Sequence, residues 1–341
     1  MANHRGKKGL NILVLEPYYG GSHKSFLSGL ATLPFNFTFL TFPARKWKWR
    51  MRLSAPFYAQ KLRERKGNFD RIICSTFVDV AVFRGLAPPW VNDVPLLTYF
   101  HENQFAYPVQ AADERDFHFA LTNMTTALAS DSLAFNSEYN LESFLQGIEA
   151  LQKKSYDLQL DDPCNAIRSK SRVIPPGIDF SAIDSAEKSC VNGPPVLLWN
   201  HRWEHDKNPD VFFSSLFELD RQGIDYKLIV LGESFKEHPP IFEKAKKKLA
   251  RRILRFGYVK SRRKYAQLLR RGDIIVSTAQ HEFFGISVLE AVRAGCRPLL
   301  PNRLSYPELF SRDFLYDNNQ FFHRLKDVIR RNERLPAATA G

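Results

Sequence analysis

Short apolar runs alternate with longer segments of helical periodicity along this chain. In the first half, strands are predicted at Asn11–Leu15, Phe37–Thr41, Arg71–Ser75, Leu96–Phe100, Leu133–Phe135 and Arg172–Ile174, and helices at Ser22–Thr32 and Asp113–Leu128. In the second half, strands are predicted at Val196–Trp199, Lys227–Leu231, Ile253–Phe256, Ile274–Ser277 and Pro298–Leu300, with helices from Pro209 and Ser261, after Gly285, and over a basic segment before Ile253. Strands that are separated by helices predict parallel sheets with helices on both faces.

A polar stretch, Phe180–Pro195, interrupts the alternation and is interpreted as a linker. The prediction is an α/β chain with one Rossmann-like domain over 1–185 and a second over 190–330. A small-residue, Ala-rich tail, 335–341, is predicted to be disordered. Two doubly wound domains that face a central cleft hold their ligands at the carboxyl ends of the strands.

The charge of the chain is strongly positive and unevenly distributed. Its 49 Lys and Arg residues exceed its 36 Asp and Glu residues, which gives a formal net charge of +13. Residues 45–66 hold nine basic residues and one acidic residue, and residues 244–264 hold eleven basic residues and no acidic one. Runs of one sign indicate an anionic partner, either nucleic acid or an anionic membrane.

Several other classes of protein are disfavoured. No stretch approaches about 18 apolar residues, so stable membrane insertion is not expected. The apolar run near the start ends at Glu16-Pro17 and predicts a first strand instead of a signal peptide. The four cysteines, Cys74, Cys164, Cys190 and Cys296, are scattered without metal-ligand spacing, which favours a reduced, cytoplasmic compartment.

The most informative segment runs from Ile274 to Ala291, where an apolar strand leads through a polar loop into a helix. The backbone amides of Gly285, Ile286 and Ser287 would face an anion such as a diphosphate at the positive end of that helix. Glu282 in the loop and Glu290 in the helix could bind hydroxyls of a sugar and of a ribose. An ordinary helix start with a solvated Glu290 is the competing interpretation.

A second strand, loop and helix start lies at Val196–Asp210. Arg202 offers a planar fork for phosphate oxygens, and Lys207 adds a compact charge five residues later. The pair is suited to a diphosphate leaving group, although surface cations on a loop are common.

These features together resemble the retaining glycosyltransferases of the GT-B fold, in particular the glycogen-synthase-like group. Glu282 through Glu290 resembles that group's E-x7-E motif, and Arg202 with Lys207 its phosphate-binding pair. The resemblance implies a base-binding loop at Gly257-Tyr258-Val259 and a sugar-phosphate contact at Gly20-Gly21, where a bare backbone allows close approach. It also implies retention of the anomeric configuration without a metal ion or other cofactor.

Motifs in the first half give a narrower resemblance. The segments LEPYYGGSHKSF at 15–26, YFHENQFAYP at 99–108, FNSEYN at 135–140 and PPGID at 175–179 resemble the tRNA-queuosine mannosyltransferase family. That family transfers mannose from GDP-mannose to queuosine in a tRNA anticodon. The resemblance implies that the domain 1–185 binds the acceptor and the domain 190–330 the nucleotide sugar. It also implies a tRNA acceptor, with the runs 45–66 and 244–264 on the tRNA phosphates.

Polar residues that follow strands of the first half are further candidates. His101 is predicted to bind a sugar hydroxyl or the acceptor, as a catalytic residue beside Glu282, Arg202 and Lys207. His23 is predicted either to cap a helix or to contact a ligand. Asn136-Ser137-Glu138 is predicted mainly to cap a helix.

Two other functions remain open. The segment Lys46–Leu53 mixes Trp with Lys and Arg as interfacial segments do, which would suit a GT-B glycosyltransferase acting on a lipid or polysaccharide at a membrane surface. A non-enzymatic nucleic-acid binder is disfavoured, because such a protein does not need a diphosphate site.

Overall fold

A computed structural model describes residues 9–65, 67–107, 117–187, 193–234, 238–331, 333 and 335. The chain divides into two compact units, Met1–Ile178 and Asp179–Gly341. The predicted tail lies outside the described residues except for residue 335, and Cys190 and Lys66 also lie outside them.

The first unit is built on a parallel sheet of six strands. The strands are β1 (Asn11–Tyr19), β2 (Asn36–Pro43), β3 (Arg71–Ser75), β4 (Leu96–Phe100), β5 (Ser132–Phe135) and β6 (Ser171–Val173), in the order β2-β1-β3-β4-β5-β6. The helices are α1 (Gly21–Leu30), α2 (Trp47–Arg63), α3 (Val80–Leu86), α4 (Phe117–Ala129), α5 (Glu138–Gln152) and α6 (Pro163–Arg168).

The second unit also contains six parallel strands. They are β7 (Val196–Asn200), β8 (Lys227–Leu231), β9 (Ile253–Phe256), β10 (Ile274–Val276), β11 (Arg297–Pro301) and β12 (Leu315–Tyr316), in the order β12-β11-β10-β7-β8-β9. The helices are α7 (Ser181–Asp184), α8 (Pro209–Arg221), α9 (Ile241–Lys248), α10 (Arg262–Arg270), α11 (Ile286–Arg293), α12 (Tyr306–Leu309) and α13 (Phe321–Arg330).

Alternate residues of a central strand pack on opposite faces of the sheet. Leu197 and Trp199 of β7 belong to the core beneath α8, α9 and α13, whereas Val196 and Leu198 belong to the core beneath α10 and α11. All four are fully buried, and each burial of this kind stabilises the fold by about 1.5–3 kcal/mol. The near-continuous apolar sequence of the strands follows from this two-sided burial.

Each sheet has a point where the strand order reverses. In the first unit it lies between β1 and β3, and in the second between β7 and β10. Connections leave such neighbouring strands toward opposite faces, which opens a crevice at their carboxyl ends where ligands bind. Ligand-binding residues are therefore expected in the segments that follow these four strands.

The structure contains a strand at each predicted position, but it corrects the domain boundary and the linker. The predicted linker begins with α7, which packs on α10 and α11. Ile183 is fully buried in the second unit, and Asp184 forms an ion pair with Arg293. Because these contacts fix the segment, the division falls at Ile178/Asp179 and not at residues 185–190.

Candidate active site

The loop after β7 carries Arg202 and Lys207 in different surroundings. The side chain of Arg202 is about half exposed at 48% and lies 3.1 Å from the Glu204 carboxylate. Lys207 ends a 3-10 turn, His205–Lys207, just before α8, and it is buried. The prediction paired the two as diphosphate ligands; of the two, the structure exposes Arg202.

Lys207 is held among acceptors from two loops. Its ammonium donates to the His281 carbonyl at 2.6 Å and lies 3.0 Å from Asp206 and 3.5 Å from Glu282. Burial alone would lower the pKa of Lys207, but the two carboxylates outweigh burial, and the pKa is raised. Lys207 likewise outweighs burial at Glu282, whose pKa is lowered. All three groups are therefore charged at neutral pH.

Backbone contacts fix this group in place. The Thr278 hydroxyl, after β10, donates to the carbonyls of Lys207 and Asn208. After β8, Gly232 has φ +131°, and a Cβ there would lie 1.7 Å from the His201 carbonyl oxygen, so this approach requires glycine. The loops after β7, β8 and β10 thus meet at the point where the strand order reverses.

Glu290 forms a second group of contacts in the same unit. It is the fifth residue of α11 and is buried. The Tyr265 hydroxyl donates to it at 2.6 Å, and the Arg262 guanidinium lies 2.7 Å away. The interpretation of Glu290 as a solvated residue is therefore wrong, because the start of α10 covers it. A carboxylate has about four acceptor positions, so further hydroxyls can still bind.

The start of α11 has the geometry expected of an anion site. Gly285 has φ +93°, and a Cβ there would lie 3.2 Å from the Tyr306 ring. The described residues provide no hydrogen-bond acceptor for the backbone amides of Gly285, Ile286 and Ser287. These donors stand at the positive end of the helix, as anion binding requires.

The predicted base loop follows β9. Gly257 has φ +113°, Tyr258 is 59% exposed, and Val259 packs against the core beneath α10. Tyr258 and Val259 line a groove of about 1350 Å³ on this unit. The loop is open to a ligand on that side.

In the first unit, Gly20 and Gly21 form the start of α1. Gly20 is the N-cap residue, and Gly21 has φ +51° with open space around its Cα. His23 is the third residue of α1, so it is not a cap. Its side chain is buried and turned toward the neighbouring strands.

His23 lies between two carboxylates. Its Nδ1 is 2.9 Å from Glu16 and its Nε2 is 3.4 Å from Glu102, while its ring lies 4.1 Å from the His101 ring. Burial would lower the pKa of His23, but Glu16 and Glu102 outweigh burial and raise it to about 10. Burial, with the charge of His23, moves the pKa of His101 well below its usual range.

A metal ion is the alternative occupant of this cluster. The potential ligand atoms of Glu16, His23 and His101 lie within 4.8 Å of one another. Both nitrogens of His23 also face carboxylates, so an ion-paired imidazolium accounts for the same contacts without a metal.

Comparison with known proteins identifies the family. Residues 11–178 match the family described as tRNA-queuosine alpha-mannosyltransferase N-terminal, and residues 182–334 match glycosyl transferases group 1. The tRNA-queuosine alpha-mannosyltransferase of Drosophila melanogaster is 36% identical over 320 residues, which cover 91% of this chain and 84% of the fly protein. The chain belongs to the tRNA-queuosine alpha-mannosyltransferase family. It is accordingly a hexosyltransferase.

Solved structures agree on the fold of this family member. HepE of Anabaena in complex with UDP matches with a TM-score of 0.68 at 13% identity, over 95% of this chain and 91% of that one. Sucrose-phosphate synthase of Thermosynechococcus elongatus matches with a TM-score of 0.69 at 12% identity, over 94% and 90%. The fold is GT-B, as predicted. Within the described ranges, every helix is too short or too polar to span a bilayer.

Sequence reasoning missed several groups that this queuosine-transferase family member places around its candidate site. Asp206, His281, Arg262 and Tyr265 bind the predicted residues but stand in no motif. Glu16 carried a signal, since it is a carboxylate inside an apolar strand, where an unpaired charge would be costly.

Proposed function

We propose that this chain transfers mannose from GDP-mannose to queuosine in a tRNA anticodon, with retention of configuration. The observation that carries the proposal is the 36% identity to the Drosophila enzyme, which extends through 91% of the chain and so covers both units. A tRNA acceptor and the scattered cysteines also support a cytoplasmic location.

The second unit supplies the proposed donor site. The amides of Gly285, Ile286 and Ser287 and the exposed guanidinium of Arg202 bind the diphosphate. Glu290 accepts from the ribose hydroxyls, and the loop Gly257–Val259 contacts the base. Support for these roles comes from the unpartnered amides and from the convergence of three strand ends.

Lys207 and Glu282 act at the reacting end of the donor. The bond between the sugar carbon and the phosphate oxygen breaks, and an acceptor hydroxyl oxygen bonds to that carbon on the same face. The hydroxyl proton passes to the departing diphosphate, which leaves as GDP. Lys207 and Arg202 stabilise the negative charge that develops there, and preorganised donors are usually the largest contribution to such a rate.

The cations of this unit perform the task of a metal ion in the proposal. We therefore expect full activity in EDTA, because Lys207 and Arg202 need no metal to oppose the diphosphate charge. A strict requirement for Mg²⁺ or Mn²⁺, restored by adding the ion back, would contradict this part of the proposal.

The basic run at 45–66 is proposed to bind RNA phosphates from α2. The helix buries Met51, Ala55 and Tyr58 and leaves Lys48 and Arg52 exposed on its other side. Cations on one face with aromatic side chains between them suit phosphates and unpaired bases.

The run at 244–264 is divided between two surfaces. Lys247, Lys248 and Arg251 line a cavity of about 490 Å³ beside α9. Four of the other eight cations line the larger groove along α10, together with Arg271 and the exposed Tyr258; the four are Arg255, Lys260, Arg263 and Lys264. We propose that the five cations of this groove bind RNA phosphates, while Tyr258 and Val259 contact the base of the donor.

One observation favours the membrane-surface alternative. Trp49, Leu53 and Phe57 lie four residues apart on α2 and are 65%, 55% and 42% exposed. An apolar stripe between cations is typical of interfacial helices. Flotation with anionic liposomes beside a tRNA gel shift distinguishes the two acceptors.

The proposed function is tested by incubating the purified chain with labelled nucleotide sugars and total tRNA. The tRNA is taken from cells with and without queuosine. We expect label from GDP-mannose in queuosine-containing tRNA alone. Equal labelling of both tRNA samples, or transfer from another nucleotide sugar, would reject the proposed acceptor or the proposed donor.

A further inference from the structure

The strand reversal of the first unit holds a buried, charged cluster. Glu16 is 1% exposed in β1 and accepts three hydrogen bonds, from the Tyr18 amide at 2.8 Å, the Ser75 hydroxyl at 3.2 Å and His23 at 2.9 Å. These donors occupy both oxygens of the buried carboxyl group. Its environment is therefore built for an anion.

His23 is built to carry the opposite charge. Both ring nitrogens face carboxylates, Glu16 on one side and Glu102 on the other. A neutral imidazole has one donor and one acceptor nitrogen, so two carboxylate partners require the protonated form. Thr76 lies 3.4 Å from the second oxygen of Glu102 and holds that carboxylate in place.

Apart from Glu16 and Glu102, the groups considered around His23 carry no charge. The rings of Tyr18 and Phe77 approach His23 edge-on, at 6.0 and 5.3 Å. Burial raises the pKa of Cys74 and Tyr58, and the negative charge of Glu16 raises both further, so each side chain stays neutral. Burial, and after it the charge of His23, lowers the pKa of His101.

His101 lies against His23 with its own nitrogens unused. The two rings are 4.1 Å apart with an angle of 35° between their planes, and the rings of Phe26 and Tyr99 cover His101 at 5.1 and 4.7 Å. The Asn136 amide fixes the His101 carbonyl at 2.7 Å. The described residues give the ring nitrogens of His101 no hydrogen-bond partner, although the residue is 6% exposed.

We propose that His23, held as an imidazolium by Glu16 and Glu102, is a positioning residue that keeps His101 uncharged while His101 binds a substrate hydroxyl. The inference rests on the proposed function, in which His101 contacts the sugar or the acceptor. An uncharged imidazole can accept a hydrogen bond with one nitrogen and donate one with the other, whereas an imidazolium only donates. A neutral His101 also avoids adding positive charge beside an oxocarbenium-like sugar.

The first experiment measures the charges directly in the full-length protein. Histidine labelled with ¹³C and ¹⁵N is incorporated, and the signals are assigned with His23→Gln and His101→Gln. At pH 7 we expect both nitrogens of His23 to be protonated and His101 to be neutral. A neutral His23 or a charged His101 would overturn the proposal, and so would stoichiometric zinc or another metal in the purified protein.

The second experiment follows kcat/KM for mannosyl transfer against pH. His23→Gln removes one of the two causes that lower the pKa of His101, so that pKa rises, although burial still lowers it. His23→Gln should therefore lose activity below neutral pH and recover most of it at pH 8.5, which a misfolded protein would not do. His101→Gln should be impaired at every pH, and His118→Gln, on the exposed side of α4, should match wild type.

These outcomes separate the two proposals. If the wild type transfers no mannose, the proposed function fails, and the spectra still decide the charges of His23 and His101. If the wild type is active and His23→Gln keeps its pH profile, the positioning role is rejected. The double variant His23→Gln with Glu16→Gln removes one buried charge of each sign. It replaces the single variant in the pH experiment if His23→Gln alone does not fold.

Discussion

The two strand reversals hold similar clusters with different cations. In the first unit, His23 lies between Glu16 and Glu102; in the second, Lys207 lies between Asp206 and Glu282. Each arrangement neutralises buried carboxylates at the carboxyl ends of parallel strands. The difference lies in the unfolded chain, where a histidine has a pKa of about 6.5 and loses its proton near neutral pH, whereas a lysine, at about 10.4, keeps its proton.

The cations also differ in what they support. Lys207 binds the His281 carbonyl and so joins the loops after β7 and β10. His23 touches a second histidine, whose ring it can influence electrostatically. The second cluster is therefore required for the fold of its site, while the first adjusts the charge of a neighbour.

The largest effect is expected from Lys207→Ala. Two buried carboxylates then lose their partner, and breaking a buried ion pair typically costs about 3–5 kcal/mol of unfolding free energy. Mannosyl transfer should fall by about 100-fold or more, because a positive charge that opposes the developing diphosphate charge is lost and the loops it joins are released. Denaturant unfolding and transfer kinetics measure the two effects; a variant as stable as wild type would show that Lys207 is not the cation of this cluster.

Glu290→Gln is expected to separate activity from stability in the same unit. Glutamine keeps the volume, its oxygen can accept from Arg262 and its amide can donate to the Tyr265 hydroxyl, so the fold should remain close to wild type. The loss of the charge should lower transfer by about 100-fold if Glu290 orients the donor. Kinetics with varied GDP-mannose provide the measurement, and unchanged kcat and KM would remove Glu290 from the donor site.

The sequence predicts the strands of this fold better than it predicts the charged clusters. Every predicted strand exists, since two-sided burial makes β7 and β10 continuous apolar runs. Helix α2 was not predicted, because exposed Trp49 and Leu53 on its outer face obscure the helical periodicity. The E-x7-E spacing predicted Glu282 and Glu290, and the cap at Ser137 is confirmed by its bond from the Asn140 amide.

The partners of these residues could not be predicted from the sequence. Lys207 and His281 are separated by 74 positions, and Glu290 and Tyr265 by 25. Such contacts depend on strand order, which local periodicity does not encode. The positions of Glu16 and His23 in one cluster likewise follow from the reversal between β1 and β3.

The basic surfaces of the two units provide a third comparison. Replacing Lys46, Lys48, Arg50 and Arg52 with Ser should weaken tRNA binding by about tenfold near physiological salt and flatten its salt dependence, because fewer counterions are released. Donor affinity should stay unchanged. Arg50 and Arg52 lie over the rings of Phe42 and Phe119 at 4.9 and 4.8 Å, so the change also costs about 1–2 kcal/mol of stability.

A variant with the same loss of charge serves as its control. Arg324, Lys326, Arg330 and Arg331 lie on or just after α13, outside both basic runs. Their replacement with Ser should leave the salt slope for tRNA close to wild type. Equal effects of the two quadruple variants would mean that net charge, not the α2 surface, governs binding.

The smallest expected effect is the pH dependence of stability that His23 produces. Its pKa is raised from 6.5 to about 10 in the folded chain. Between these values the folded state holds a proton that the unfolded state has lost, so stability is complete below pH 6.5 and falls as pH rises. The free energy of unfolding therefore falls by about 1.4 kcal/mol per pH unit.

Calorimetry of wild type and His23→Gln between pH 7.0 and 8.5 measures this slope. In this window other shifted groups contribute little: the lowered pKa values of His101 and His201 affect stability at lower pH, and the raised pKa of Cys74 affects it at higher pH. The wild type should lose about 2 kcal/mol over this range and the variant little; parallel profiles would mean that His23 is neutral, and the contrast between the two clusters would then disappear.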